Sequence, residues 1–145
     1  MQSILKPRPI PHSVYANVPS SSASRRAGVV LTGAAMLFLL VDSIGKLNAI
    51  PAVVDATVQL GYPESSVRGI GLILLLCLIL YVFPRTSVLG AVLLTGYLGG
   101  AVAAQVRVGS PLFSTTLFPV YVGVLVWAGL LLREDRLRAL IPLRR

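Results

Sequence analysis

Charge, cysteine and histidine are the scarce things in this chain. Of 145 residues only 12% are charged and five are acidic, whereas a soluble domain carries about 25% charged residues. So little charge cannot coat a soluble globule, and a mean hydropathy of +0.82 agrees. The single cysteine, Cys77, lies inside the apolar run LLLCLILY. One cysteine excludes an intrachain disulfide, dithiol exchange and a cysteine-based zinc site, and it reads as a small hydrophobe. The single histidine, His12, sits in a polar N-terminal stretch and reads as solvated, so no metal site is expected. Thirteen Lys and Arg against five acids give a net charge of +8. They flank apolar runs instead of forming a basic stripe interleaved with aromatics, which argues against nucleic acid as a partner.

What the chain has in abundance is apolar sequence, gathered into four runs at about 27–50, 67–83, 87–106 and 113–132. A span needs about 20 residues, or as few as about 17. The expected fold is therefore all-α: one polytopic domain, a four-transmembrane-helix bundle over 27–132. Proline at 63 suits the first turn of the second span, Pro84 ends it, and Thr86 is placed to cap the third. Pro119 should kink the fourth in its outer half, where Ser114, Thr115 or Thr116 hydroxyls can satisfy freed backbone groups. Tyr121 and Trp127 read as core or interface anchors.

Residues 1–26 hold Pro7, Pro9, Pro11, Pro19 and the run SSSAS, the composition of a disordered tail. The apolar run behind Arg25 and Arg26 is long enough to span and lacks a small-residue cleavage site, so it reads as an uncleaved helix. Residues 133–145 continue as a basic amphipathic segment, with Leu137, Leu140 and Ile141 on one side up to Pro142. Its arginines suit anionic head groups.

Basic residues also set an expected orientation. With the N-terminus inside, Lys6, Arg8, Arg25, Arg26, Arg85, Arg133, Arg136, Arg138, Arg144 and Arg145 lie on the cytoplasmic side. Only Lys46, Arg68 and Arg107 lie on the other. Ten against three places both termini in the cytoplasm.

Against this apolar background LLVDSIGKL, residues 39–47, stands out. A charge at membrane depth costs at least about 2.5–3.5 kcal/mol, so it faces protein or water and usually has a partner. Asp42 and Lys46 are four apart and share one helix face, where they can pair. After them, PAVVDATVQLGYP has the spacing of a short amphipathic helix at the interface, ended by Gly61. The third span carries Gly96 and Gly100 in GxxxG spacing, then Ala103 and Ala104, read as tight helix packing within the monomer. Gln105, one turn after Ala101, is an inward candidate. Arg107 is placed either to snorkel or to sit at a pocket mouth. The candidate site is thus a polar pocket in the outer half: Asp42 as general acid or base, with Lys46, Gln105 and Arg107 contacting substrate.

The succession Ser43-Ile-Gly-Lys46-Leu47, Leu60-Gly-Tyr-Pro63, Phe83-Pro-Arg-Thr86 and Ala103-Ala-Gln-Val-Arg-Val-Gly109 resembles the DoxX-like family of small membrane proteins, from about Gly28 onward. The resemblance implies a four-helix bundle in the bacterial cytoplasmic (inner) membrane. The family's founding member is a subunit of a thiosulfate:quinone oxidoreductase, which makes quinone a cofactor to consider, although no cofactor is evident in the residues. Members often carry histidine where this chain has Gln105, which argues against acid–base or metal chemistry at that position. The resemblance assigns no role to Asp42, whose reading rests on physical grounds alone.

Three functions fit. One is an accessory subunit of a membrane redox system that binds a quinone or lipid, with a partner subunit or a second copy beside it. Another is an intramembrane isomerase or cyclase using Asp42 on an apolar substrate. The last is a purely structural subunit, in which the Asp42–Lys46 pair eases insertion.

Overall fold

The computed structural model describes residues 22–134 together with Leu137. Most of the expected N-terminal tail and nearly all of the C-terminal amphipathic segment lie outside the described residues. Five α-helices follow in order: α1 (Ser22–Leu47), α2 (Pro51–Gln59), α3 (Val67–Val82), α4 (Ser87–Arg107) and α5 (Phe118–Arg133). A 3-10 turn, Glu64–Ser66, leads into α3, and a π-helical turn, Leu112–Thr116, precedes α5. With those turns included, four helical segments among the described residues are long and apolar enough to cross a membrane. Among the described residues there is no strand.

α1 packs on α3 and α5, and α4 packs on α3 and α5. The four spans thus form a ring, with α1 and α4 at opposite corners. Leu39, Leu74, Leu78, Tyr81, Leu94, Val126 and Leu130 fill the middle. Large apolar side chains such as Leu37, Leu72, Leu76, Val92 and Val124 point outward, as lipid-facing surface requires. In lipid, close backbone approach drives association more than hydrophobicity does, and glycines provide it. A Cβ on Gly28 would stand 2.7 Å from Leu132 Cβ, and one on Gly129 would strike Thr32, which locks α1 to α5. A Cβ on Gly90 would run into the backbone of Tyr81, which locks α4 to α3. These contacts lie at the end of the bundle away from α2. The Tyr81 hydroxyl crosses the middle to donate to the Val126 carbonyl at 2.8 Å, and Trp127 Nε1 donates to Thr95 Oγ1 at 2.9 Å, joining α5 to α4. Trp127 packs on the core, while Tyr121 is exposed.

The structure departs from the expectations at several points. The first helix begins at Ser22, so Arg25 and Arg26 are helical, since serine and arginine are acceptable in a first turn. It ends at Leu47, because Pro51 forces Ile50 out of the helical region (ψ 128°) and itself opens α2. Ala49 makes the turn at φ 49°.

Thr86 does not cap α4; its hydroxyl donates to the Leu80 carbonyl at 2.7 Å. Pro84 has no N–H to give that carbonyl, four residues earlier, and the hydroxyl replaces it. Pro119 does not kink a continuous helix: the chain breaks at Leu117 and Pro119 lies in the first turn of α5. The proline ring crowds the preceding turn, which widens to i−5 bonds, Thr116 N–H to Pro111 O at 3.2 Å and Leu117 N–H to Leu112 O at 2.9 Å. The Thr115 and Thr116 hydroxyls donate to the Pro111 and Ser110 carbonyls, not to the Thr115 carbonyl that Pro119 leaves without its N–H.

Candidate functional site

At the α2 end the four spans no longer touch across the middle, and a cavity of about 550 Å³ opens between them. That lies within the 300–1,000 Å³ range of small-molecule sites. Its walls come from every helix. α1 contributes Phe38, Leu39, Asp42 and Lys46; α3 contributes Ile70 and Ile73. α4 adds Gly96, Tyr97, Gly100, Ala101, Ala104 and Gln105, and α5 adds Phe118, Pro119 and Val122. Helix α2 covers them with Ala52, Val53, Ala56 and Thr57.

The polar side of the cavity starts on α1. Lys46 Nζ donates to Asp42 Oδ1, forming the i,i+4 ion pair; the two side chains are 12% and 30% exposed. Between them Ser43 turns away and donates to the Gly71 carbonyl at 2.9 Å. A Cβ on Gly71 would sit 2.7 Å from Lys46 Cβ, so α3 presses on the base of the lysine and fixes the face that α1 presents. Across the cavity the Tyr97 hydroxyl lies within interaction reach of the Asp42 carboxylate. The Thr57 hydroxyl donates to the Val53 carbonyl at 2.7 Å, which leaves its lone pairs free to accept. Among the described residues of the lining Asp42 and Lys46 are the only charged ones, and their formal charges cancel.

Three of the four sequence candidates, Asp42, Lys46 and Gln105, thus line one cavity, although α1 and α4 occupy opposite corners. Arg107 does not line it. Its guanidinium donates to the Leu60 carbonyl and stacks over the Tyr62 ring, 5.8 Å from the ring centre. Gly61, at φ 82°, makes room: a Cβ there would lie 2.6 Å from Arg107 Nη2. Arg107 therefore straps the end of α2 to the end of α4.

The GxxxG reading fails. A Cβ on Gly96, Gly99 or Gly100 would meet nothing within 4 Å; Gly96 and Gly100 leave space that larger side chains would fill. Sequence reading also missed Tyr97. Its signal was a phenol inside an apolar span, whose hydroxyl needs a partner, one heptad after Gly90 and so on the α3-facing flank of α4.

The sequence pattern of the DoxX-like family matches residues 30–129, all four spans. The chain belongs to the DoxX-like family. No curated protein and no solved structure matches the sequence significantly. In this DoxX-like chain the cavity carries an ion pair, the Tyr62 and Tyr97 phenols, the Thr57 hydroxyl and the Gln105 amide on otherwise apolar walls. That arrangement can seat a molecule that is mostly hydrocarbon and orient it by one polar group.

Proposed function

We propose that this membrane protein holds a small, mainly apolar molecule, a quinone or a lipid, in the cavity at its α2 end and serves as an accessory subunit of a membrane redox system. The observation that carries the binding role is the 550 Å³ cavity with Asp42, Lys46, Tyr97 and Gln105 on apolar walls. Support for the redox setting comes from the family match, since the family's founding member is a subunit of a quinone-linked oxidoreductase. In this reading the chain lies in the bacterial inner membrane with both termini cytoplasmic, so the cavity is near the periplasmic face. Extraction of the purified full chain followed by mass spectrometry tests the binding role. One apolar compound should co-purify with the wild type and be lost from Ala101→Leu, which fills the cavity; a wild type carrying only bulk lipid overturns the reading.

The position of Tyr97 beside Asp42 favours a second reading, acid–base chemistry on the bound molecule. Asp42→Asn then abolishes turnover while the co-purifying compound stays bound. If the Asp42→Asn variant preserves host function, the catalytic reading falls and the binding one stands.

A further inference from the structure

Resting on the binding role above, we infer that the cavity is loaded sideways from the bilayer through a gap between α3 and α4, and that its ligand is an amphiphile with a neutral head and a single hydrocarbon chain lying over Gly96 and Gly100.

The gap follows from how the two helices meet. Near their connecting turn, Gly90 lets α4 touch the backbone of Tyr81. Tyr97, seven residues on, keeps to the same flank of α4, and at about 100° per residue Gly96 and Gly100 both fall on its outer side. Both glycines line the cavity, yet nothing stands within 4 Å of where their side chains would be. Opposite them on α3, Ile73 also lines the cavity while 57% exposed. A residue can do both only if the wall is open there. The two helices therefore touch at one end and part at the other, and the opening faces acyl chains.

The ligand class follows from the two ends of this path. At the inner end the two charges among the described lining residues, Asp42 and Lys46, are already paired. Behind the lining residues Leu60 and Tyr62 the Arg107 guanidinium is engaged with both. Among the described residues that line the cavity a phosphate or carboxylate head would thus find no unpaired cation, and an ammonium head no unpaired anion; a desolvated unpaired charge is costly. A hydroxyl or carbonyl head can instead use the Tyr97 hydroxyl and the Gln105 amide, which offer both donors and acceptors. At the outer end the floor is a strip of two glycines four residues apart, about 6 Å of helix. That suits one chain, and a cavity of 550 Å³ takes a drug-sized portion of a molecule, so the rest of the tail stays in the bilayer.

The test is photolabelling of the full chain in nanodiscs with a long-chain alcohol bearing a mid-chain diazirine, against the matching carboxylic acid. Wild type should be labelled on α3 and α4, with the alcohol favoured about tenfold, the ratio that 1.4 kcal/mol gives. Gly96→Leu/Gly100→Leu, and Gly100→Leu alone, should cut labelling at least several-fold. Gly99→Leu, in the same small-residue stretch but outside the cavity, should not. Size-exclusion chromatography checks that each variant is folded. Labelling that survives at both glycines but is lost in Ala101→Leu overturns the side portal and leaves the cavity's binding role intact. Labelling unchanged in every variant removes both. Equal labelling by the acid overturns the neutral head. Loss in Gly99→Leu together with loss of a dimer would make the glycine stretch a seam between two copies, which also overturns the portal.

Discussion

At the residue scale the Asp42–Lys46 pair matters most. It is neither at the surface, where such pairs are worth about 0–1 kcal/mol, nor fully buried, where removing one partner costs about 3–5 kcal/mol. With Lys46 12% and Asp42 30% exposed, Lys46→Met should cost between those limits, about 1–3 kcal/mol, since it strands a half-buried carboxylate. Asp42→Asn/Lys46→Met should cost less than Lys46→Met alone. Thermal unfolding in detergent of the two singles and the double gives the coupling; additive losses would show that the pair is not formed. Ser43→Ala removes one interhelical hydrogen bond, to Gly71, and should cost about 0.6 kcal/mol, the average for such bonds in membranes.

At the element scale the bundle is held by glycines that the sequence does not distinguish from those that leave space. Gly90 and Gly96 stand in one apolar helix, six residues apart. An added Cβ would strike the Tyr81 backbone at the first and nothing at the second. Gly90→Ala should therefore lower the melting temperature by several degrees and loosen the α3–α4 hairpin, while Gly96→Ala should be neutral or slightly stabilising, because alanine favours helix by about 1 kcal/mol. Arg107→Ala should release α2 by removing its bond to Leu60 and its contact with Tyr62. Hydrogen exchange over residues 51–62 would then speed up with the spans unchanged; unchanged exchange would show that α2 is held by its apolar face alone.

The same scale shows what was legible. Hydropathy and proline positions marked four spans and the short helix between the first two, because each depends on local composition and length. The i,i+4 spacing of Asp42 and Lys46 allowed their pairing, and the structure forms it. Which glycines face a neighbour depends on how helices distant in sequence are rotated, and no local pattern carries that. For a related reason Thr86 and Arg107 have bonds that no local pattern announces. Their partners, the Leu80 and Leu60 carbonyls, are freed by Pro84 and by the end of α2, so the demand arises on another element. Arg107 still stands behind Leu60 and Tyr62, which line the cavity.

At the scale of the whole molecule, two ends of unlike character are joined by one bundle. Tight glycine contacts close the end near the α3–α4 turn, and the α2 end parts around a cavity. The excess of Lys and Arg, ten against three, predicts that a C-terminal alkaline phosphatase fusion is inactive and a C-terminal fluorescent protein bright. The reverse pattern would move the cavity to the cytoplasmic side without changing its chemistry.

The central claim is that Asp42 and Gln105, on helices at opposite corners, face one shared cavity. It is tested most directly by bridging Asp42→Cys and Gln105→Cys in the full chain with Cys77→Ala, using a bifunctional thiol reagent long enough to reach across the cavity. An intramolecular bridge is expected for this pair and none for Val41→Cys with Val106→Cys, whose side chains point outward. A bridge in the second pair, or none in the first when each single cysteine reacts alone, would contradict it.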